Sequence, residues 1–366
     1  MNRKTLAVVP CLFKKTVFFT VVFSVLTQTA LFSQAVVSYR RDDKLGLQQA
    51  KDGKEITTAK YDIIYDFYEG FARVKLNRKI SFVDQAGKEI CAFSFDDGLD
   101  FSEGLVGVKQ NGKWGYISKT GKQAVPIIYE EVTGFFEGLG AVKQNGKWGF
   151  VDKNGRMAIT PTYDDARTFS DGLAAVVQAN KLGFIDKTGK VIIPFEYTET
   201  RDFNSGVAGV KQNEMFGLID KTGKQVSPFL YDDMYIFAEG LAAVKQNGKW
   251  GYIDSRGKIV VPVKYDKTFW FSGGLTAVQS NDKWGYTNKT GKEVIPCSYE
   301  GANQFAEGLA AVKKDGNWGF IDAEGIVVIP FTLDLVFDEG FKNGVCQVNY
   351  QQNTVVIDKK GNILSR

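Results

Sequence analysis

Residues 105–118 read Leu105-Val106-Gly107-Val108-Lys109-Gln110-Asn111-Gly112-Lys113-Trp114-Gly115-Tyr116-Ile117-Ser118. Two short runs of strand-forming residues flank Asn111-Gly112, a pair that suits a two-residue type I′ turn because both turn residues need positive φ. The stretch therefore predicts a β-hairpin. Trp114 and Tyr116 lie two residues apart and project from the same face of its second strand.

A third strand is predicted directly after each hairpin. The connecting turn reads Asp152-Lys153-Asn154-Gly155 in one copy, with Asp to bind backbone N–H groups and Gly to accept the left-handed conformation. In the next copy the chain doubles back as Lys190-Val191-Ile192-Ile193. We expect that strand to end at Pro194, because proline cannot donate to a β-ladder. No segment shows a sustained 3.6-residue period, so little helix is expected.

The hairpin recurs at a fixed interval along the chain. A phenylalanine precedes it every 34 residues, at Phe67, Phe101, Phe135, Phe169, Phe203, Phe237, Phe271 and Phe305. A glycine follows each of these phenylalanines by three residues and a valine follows by seven. Units of this length cannot bury their own apolar faces and become stable by stacking on neighbours. The sequence therefore predicts one continuous array of repeats.

The predicted fold class is all-β, a tandem array of about ten units of three antiparallel strands each. We predict an open solenoid or superhelix with exposed ends. A closed propeller-like toroid is the alternative, because three or four strands in roughly 34–45 residues also describe a propeller blade. The array takes in residues 36–366, with degenerate caps at about 36–66 and 335–366.

Residues 1–35 precede the array and have the features of a secretory signal peptide. Lys4, Lys14 and Lys15 supply positive charge, residues 16–32 are mostly apolar, and Ser33-Gln34-Ala35 has small residues where signal peptidase reads them. We expect cleavage after Ala35 and export to the periplasm, surface or medium of a bacterium. A membrane anchor is the alternative, but the apolar run is short and interrupted by polar residues.

Composition argues against several classes of function. The chain has 46 basic and 42 acidic residues, and four of the basic ones lie in the segment 1–35, which leaves 42 of each sign. A neutral array does not predict nucleic-acid binding, which needs a basic surface. There is no histidine, no nucleophile elbow and no phosphate-binding loop. Cys91, Cys297 and Cys346 fall in different slots of the repeat and form no metal or disulfide pattern. We expect no catalytic residues, cofactor or metal.

The repeated aromatic residues are interpreted mainly as core. Leu182 and Phe216 replace tryptophan in two copies, which a packing position tolerates and a stacking platform for a ligand does not. The tryptophans assigned to the repeat core are Trp114, Trp148, Trp250, Trp284 and Trp318. In the segment that joins one unit to the next, a tyrosine usually precedes an acidic residue, as in Tyr163-Asp164. We expect the ring to seal the joint and the carboxylate to cap backbone N–H groups or to meet a lysine.

Two sequence motifs resemble the Trp-Gly repeat family of bacteria, also called WG or KWG repeats. They are Lys-Trp-Gly-Tyr-Ile-Asp, which begins at Lys249, and Glu-Gly-Leu-Ala-Ala-Val-Lys-Gln-Asn-Gly, which begins at Glu239. The resemblance covers essentially all of residues 36–366. It implies exported or surface-associated β-repeat proteins, and it supplies no catalytic residues to carry over. The sequence departs from the pattern at Leu182 and Phe216, and at Ile80-Ser81 in an early copy.

Two features suggest binding. Trp270 occupies a slot that holds no aromatic residue in other copies, so the repeat does not require it. Lysines recur in one strand slot at Lys113, Lys147, Lys249 and Lys283, which fits either a solvated face or a surface for an anionic polymer. We expect acidic residues such as Glu103, just before the constant glycine, to separate these like charges.

The favoured hypothesis is an exported, non-enzymatic protein whose array binds a protein or a cell-envelope polysaccharide. Its membrane contact is then only through the signal peptide, and its oligomeric state is open. One alternative is a glycan-active enzyme that uses two carboxylates. Another is a choline-type cell-wall-binding module, whose hairpins Asn111-Gly112-Lys113-Trp114 resembles. In those modules aromatic residues cage a quaternary ammonium group, but here Gly115 stands where a further aromatic residue would be expected.

Overall fold

The computed structural model describes residues 36–49, 52–337 and 340–365. The predicted signal peptide and its cleavage site lie outside the described residues. The described part of the chain is built from β-strands, and it contains no helix with the length and apolarity needed to span a bilayer.

Nine antiparallel sheets, blades 1 to 9, follow one another along the chain, and each is made of consecutive strands. The first strands of blades 1–9 are β3 (Ile63–Tyr68), β6 (Asp97–Gly98), β10 (Glu131–Phe136), β14 (Asp165–Ala166), β18 (Glu199–Thr200), β21 (Asp233–Met234), β25 (Lys267–Thr268), β29 (Gly301–Ala302) and β33 (Leu335–Val336). The second strands are β4 (Phe71–Leu76), β7 (Leu105–Gln110), β11 (Leu139–Gln144), β15 (Leu173–Gln178), β19 (Val207–Gln212), β22 (Leu241–Gln246), β26 (Leu275–Ser280), β30 (Ala310–Lys314) and β34 (Val345–Tyr350).

The third strands carry the tryptophan slot, and the fourth strands form one edge of each sheet. The third strands are β5 (Lys79–Asp84), β8 (Lys113–Ser118), β12 (Lys147–Asp152), β16 (Lys181–Asp186), β20 (Met215–Asp220), β23 (Lys249–Asp254), β27 (Lys283–Asn288), β31 (Asn317–Ile321) and β35 (Asn353–Asp358). The fourth strands are β9 (Gln123–Tyr129), β13 (Met157–Tyr163), β17 (Val191–Tyr197), β24 (Ile259–Tyr265), β28 (Glu293–Tyr299), β32 (Val327–Leu333) and β36 (Ile363–Ser365). In blades 1 and 5 isolated bridges such as Ile80↔Phe95 and Phe216↔Tyr231 take the place of this strand.

The prediction of three strands per unit was one strand short. The missing strand is the short first one, formed by the joint segment that the sequence pattern left unassigned. It pairs with the second strand over only two residue pairs in most blades, for example Asp165↔Val177 and Ala166↔Val176. A two-residue strand leaves no alternating pattern to detect.

A two-stranded sheet, β1 (Val36–Arg41) and β2 (Lys44–Gln49), precedes blade 1. The bridges Leu45↔Tyr61 and Gln48↔Glu55 extend this sheet by a third segment. Leu47 and Tyr61 are buried against Val74 and Val83 of blade 1. This sheet is the degenerate first copy that the sequence indicates.

The nine blades close into a β-propeller ring, and the prediction of an open solenoid is wrong. The closing contact joins Lys342 of blade 9 to blade 1: its Nζ lies 2.9 Å from Asp66 Oδ2 and 5.7 Å from the centre of the Tyr68 ring. The same relation, a cation of one blade facing an acid of the next, links Arg73 to Asp100 and Arg167 to Asp202. Lys342 thus links blade 9 to blade 1, while the β1–β2 sheet packs on the core side of blade 1.

The hydrophobic core lies between blades. One cluster contains Trp148 and Phe150 of blade 3 together with Phe169 and Val176 of blade 4. The ring of Phe150 meets that of Phe169 edge-on, with centroids 4.9 Å apart. An aromatic pair of the same kind joins Tyr116 to Phe135 at 4.8 Å. Each constant phenylalanine thus fills the gap against the preceding blade, which explains why its period does not slip.

The hairpin turn and the glycine after tryptophan have the predicted conformations. Asn111 and Gly112 have φ of 51° and 79°, as a type I′ turn requires. A Cβ placed on Gly115 would lie 2.6 Å from the carbonyl oxygen of Pro126. The glycine after tryptophan therefore lets the fourth strand cross close to the third.

The prediction that proline ends the last strand was wrong. Strand β17 runs through Pro194 to Tyr197. Its ladder with β16 shifts register between the pairs Leu182↔Tyr197 and Phe184↔Ile193. Because β17 is an edge strand, no strand of its sheet lies on its open side to accept a hydrogen bond there. The missing N–H of Pro194 therefore breaks no ladder.

Candidate functional site

The two positions directly before the constant phenylalanine vary between blades, and we call them the rim positions. In blades 1–8 they are occupied by Tyr65-Asp66, Leu99-Asp100, Thr133-Gly134, Arg167-Thr168, Arg201-Asp202, Tyr235-Ile236, Phe269-Trp270 and Asn303-Gln304. Neighbouring segments are tied together directly after the phenylalanine. Ser170 Oγ donates to the carbonyl of Phe203 at 2.6 Å, and Ser272 Oγ donates to that of Phe305 at 2.7 Å. Rim positions of successive blades therefore follow one another around the ring.

One part of the rim is charged. Arg73 Nε lies 3.9 Å from Asp100 Oδ1, and Arg167 Nη1 lies 3.6 Å from Asp202 Oδ1. The Arg73–Asp100 separation is too long for a hydrogen bond. Within the described residues, Arg73 Nε and Asp100 Oδ1 are both buried, and neither has a hydrogen-bond partner. Burial raises the pKa of the Asp100 and Asp202 carboxyls, and the arginines offset only part of that effect.

Arg201 binds across the next joint instead of facing a rim acid. Its Nε donates to the carbonyl of Met234 at 2.7 Å, and its Nη2 lies 3.2 Å from Asp233 Oδ1. Its guanidinium also lies 4.7 Å from the centre of the Phe216 ring. Sequence reasoning missed Arg167 and Arg201, although an arginine at a variable rim position was a usable signal.

The rim of blades 6–8 is uncharged. It presents Tyr235, Ile236, Phe269, Trp270 and Gln304. Tyr235 and Phe269 pack on the tryptophans of their own blades, with ring centroids 4.6 Å and 5.4 Å apart. Trp270 is 42% exposed, whereas Gln304 is 6% exposed. In the described part of the chain neither the amide nitrogen nor the amide oxygen of Gln304 has a hydrogen-bond partner.

The four strand lysines proposed as binding residues lie in the hairpins and not on the rim. Lys147 and Lys249 form ion pairs with Asp164 and Asp266, the acidic residues that follow the joint tyrosines. Asp164 also accepts the N–H of Ala179 in the next blade at 2.9 Å. The joint carboxylate therefore has both of the roles expected for it. The other two lysines, Lys113 and Lys283, are exposed.

The tryptophan slot lies at the edge of the core. Trp148 and Trp250 are buried, with 8% and 7% of their surface exposed, while Trp114, Trp284 and Trp318 are half-buried. A lysine ammonium lies 5.8 Å from the ring centre of Trp114, Trp148 and Trp250. These lysines, Lys109, Lys143 and Lys245, thus cover the open side of the indole rings.

The acidic residue before the constant glycine forms what we call the clasp. Glu103 Oε2 lies 3.0 Å from Lys153 Nζ and accepts the N–H of Gly138 at 2.9 Å, and both partners belong to the next blade. The same ion pair, at 2.9–3.0 Å, recurs in Glu69–Lys119, Glu137–Lys187, Glu239–Lys289 and Glu307–Lys359. The expectation that these acids separate the strand lysines was wrong, because they pair with turn lysines of the neighbouring blade.

The two halves of the clasp are lost together. Ser205 replaces the acid at the joint between blades 5 and 6, and Ser255 replaces the matching lysine 50 residues later. Gly273 and Ala323 replace them at the joint between blades 7 and 8. This paired loss was visible in the sequence and could have identified the ion pair.

The described residues offer little for catalysis or metal binding. They contain no group of three or more Cys, Asp or Glu side chains placed to hold a metal ion. A cavity of about 390 Å³ between blades 1 and 2 is lined by Phe71, Asp84, Lys88, Glu89, Ile90, Lys119 and Thr120. Two of these groups are already paired, Lys119 with the clasp residue Glu69 and Glu89 with Lys60.

The profile of a family described as WG containing repeat matches this chain nine times, at residues 51–79, 80–114, 114–148, 148–181, 183–215, 216–250, 250–284, 284–318 and 318–351. Most matches run from one tryptophan slot to the next. Each such repeat therefore supplies the third and fourth strands of one blade and the first and second strands of the following blade.

A search of curated protein sequences found no match. Among solved structures, a crystal structure of the eukaryotic initiation factor has a TM-score of 0.53 at 11% identity, over 89% of this chain and 93% of that one. This likeness concerns the fold alone. PorZ, a surface component of the type-IX secretion system of Porphyromonas gingivalis, has a TM-score of 0.34 at 8% identity, over 84% of this chain and 52% of that one. The extracellular domain of the B. thetaiotaomicron one component system BT4673 has a TM-score of 0.27 at 8% identity, over 91% and 65%. The last two likenesses are too loose to bear on function.

Proposed function

The chain belongs to the WG containing repeat family, and from this premise we propose that it is an exported, non-enzymatic binding ring. Its partner is a protein or a polysaccharide of the bacterial cell envelope. Export is inferred from residues 1–35, whose basic start, apolar run and small residues before the array are typical of a signal peptide.

One observation carries the proposal: the blades are nearly identical where they pack and different where they form the rim. The constant phenylalanine, the clasp and the tyrosine–acid pair all serve joints between blades. The rim positions, by contrast, hold acids, arginines, aromatic residues and an amide in no repeating order. A rigid scaffold that carries variable residues at one place is the usual arrangement for ligand binding.

A binding role is favoured over catalysis because the recurring acids are already engaged. Asp164 and Asp266 pair with strand lysines, and Glu103 and Glu239 pair with turn lysines. Hydrogen bonding to Lys147 is the largest contribution that lowers the pKa of Asp164. A carboxyl held in its charged form by a lysine is poorly suited to act as a general acid.

The test is a binding screen of the purified protein against cell-envelope polysaccharides and envelope protein extracts, with two matched variants. Trp270→Ala with Arg201→Ala alters the rim. Lys113→Gln with Lys283→Gln alters two exposed hairpin lysines and serves as the control. We expect the rim variant to lose binding and the lysine variant to retain it. Retained binding in the rim variant, or no binding by the parent protein, would overturn the proposal.

Export has its own test. A tagged full-length chain is expected outside the cytoplasm, shortened by about 35 residues, and Ala35→Arg is expected to block the shortening. Full-length protein confined to the cytoplasm would refute export.

A further inference from the structure

The joint between blades 7 and 8 lacks the clasp that the joints on either side of it keep. Glu239 binds Lys289 at the preceding joint and Glu307 binds Lys359 at the following one, at 2.9 Å and 3.0 Å. Gly273 and Ala323 provide neither charge. This joint therefore lacks an ion pair that its two neighbours have.

Trp270, on the rim of blade 7, is exposed although the repeat does not require an aromatic residue there. Its indole is 42% exposed and meets Phe269 nearly edge-on, at an interplanar angle of 87° and 6.3 Å between centroids. An exposed indole is a rigid platform for an apolar surface and costs little conformational entropy on binding.

Gln304 occupies the corresponding position of blade 8 and is buried with an unsatisfied amide. It is 6% exposed, and both of its polar atoms lack a partner among the described residues. A buried amide without hydrogen bonds is costly, and native proteins seldom keep one without a reason. Its NH₂ group is a donor and its oxygen an acceptor, so a group that both accepts and donates, such as a pair of neighbouring hydroxyls, would satisfy both.

The surrounding rim carries no charge. Ile236, Trp270 and Gln304 occupy the second rim position in blades 6–8, and Tyr235, Phe269 and Asn303 occupy the first. The uncharged rim of blades 6–8, with one exposed aromatic residue and one unsatisfied amide, favours a neutral ligand that has an apolar face and adjacent hydroxyls.

We propose that the joint between blades 7 and 8 binds a neutral sugar residue of a glycan, with Trp270 as the stacking platform. Gln304 becomes the hydrogen-bond partner when the unclasped joint opens. This assignment rests on the proposed binding function and names the ligand class for one part of the rim. Opening is coupled to binding because the amide is covered in the closed ring and is satisfied in the open one.

The experiment is calorimetric titration of the protein with uncharged tetrasaccharides, namely cellotetraose, maltotetraose and the N-acetylglucosamine tetramer. A galacturonic acid tetramer and an uncharged peptide library serve as comparisons. We expect at least one neutral tetrasaccharide to bind and the acidic one to bind more weakly. Trp270→Ala is expected to weaken binding about tenfold or more.

Two further variants separate the proposed roles from simple damage to the fold. Gln304→Leu removes the unsatisfied amide, so it should raise the melting temperature while weakening sugar binding. Gly273→Glu with Ala323→Lys installs the missing clasp and should also weaken binding, although Trp270 is untouched. Gly273 already has φ of 62°, and a Cβ there meets no atom within 4 Å. The matched control is Ser205→Glu with Ser255→Lys, which installs a clasp at the joint between blades 5 and 6 and should leave binding unchanged.

The outcomes distinguish this inference from the function on which it rests. If the protein binds neither sugars nor envelope material, the proposed function fails. If it binds a sugar but Trp270→Ala and the clasp at blades 7 and 8 leave the affinity unchanged, only this site assignment fails. Binding of uncharged peptides that depends on Trp270, without sugar binding, would overturn the sugar assignment.

Discussion

Restoring the clasp between blades 5 and 6 should stabilise the ring. The perturbation is Ser205→Glu together with Ser255→Lys, the two positions where an acid and a lysine stand at most other joints. Ser205 already has φ of 57°, close to the 50–52° of the clasp glutamates Glu69, Glu103, Glu137, Glu239 and Glu307. The new glutamate therefore adds no change of backbone conformation.

The magnitude follows from the existing clasps. In Glu103–Lys153 the side chains are 32% and 43% exposed, so the ion pair is worth about 0.5–1 kcal/mol. The carboxylate also accepts the N–H of Gly138, which adds about 0.5–1 kcal/mol. We expect the double variant to gain about 1–2 kcal/mol, Ser205→Glu alone about half of that, and Ser255→Lys alone close to zero.

The assay is urea unfolding of the parent, the two single variants and the double variant, which form a double-mutant cycle. The coupling between the two substitutions should decrease as salt is added, because the pair is partly exposed. Ser205→Gln, which has the same length and no charge, is the control and should not couple to Ser255→Lys. A coupling of zero at low salt, or a less stable double variant, would refute the clasp.

Four further predictions concern core and charge. Trp148→Ala should cost about 3–5 kcal/mol, since Trp148 is 8% exposed, and a loss no larger than that of Trp148→Phe in urea unfolding would argue against a core role. Tyr286→Phe should cost about 1–2 kcal/mol in the same assay, because the hydroxyl donates to the carbonyl of Asn303 at 2.7 Å; an unchanged midpoint would contradict this. Burial raises the pKa of Glu103, but Lys153 and backbone N–H groups outweigh it and hold the pKa below its usual value. A lowered folded-state pKa gives stability that is present above the unfolded-state pKa and is lost as the pH falls through the folded-state pKa. Acidification from about pH 5 to 3 should therefore destabilise the parent more than Glu103→Gln, and parallel curves would contradict this. Asp202 has the opposite sign, since burial raises its pKa; Asp202→Asn should become relatively more stable than the parent as the pH rises from about 3 to 7, and a constant difference would refute it.

The repeat unit could be predicted from the sequence because its signals are local. Asn111-Gly112 determines the hairpin turn. The glycine of each Trp-Gly pair indicates that the fourth strand crosses close to the third, because a side chain there would clash. The fixed 34-residue spacing indicates that every unit meets its neighbour in the same way. These features involve residues close together in the chain, so one copy contains all of the information.

Closure of the ring could not be predicted because it depends on a small rotation between blades that accumulates around the array. No single joint reveals that rotation, and the contact that completes the ring, Lys342 to Asp66, joins residues from opposite ends of the array. The degenerate end copies were interpreted as caps that face water. In the structure the first end copy packs on blade 1, and Lys342 of the last copy pairs with Asp66.

The candidate site was partly visible in the sequence. Trp270 was identified because no other copy has an aromatic residue at its position. The same test applied to Gln304 or Arg201 would have added both residues. The four strand lysines were chosen because they recur, and two of them, Lys147 and Lys249, form ion pairs with joint acids. Residues that bind a ligand asymmetrically have to be sought where the copies disagree.

The stagger between sequence repeat and blade has a consequence for how such rings change in size. A duplicated segment that runs from one tryptophan slot to the next contains the third and fourth strands of one blade and the first and second strands of the next. Its two ends can therefore pair with the half-sheets on either side of the insertion point. Gain or loss of one segment would then alter the circumference by one blade while leaving every strand paired. The number of blades is therefore free to change through duplication or loss of such a segment.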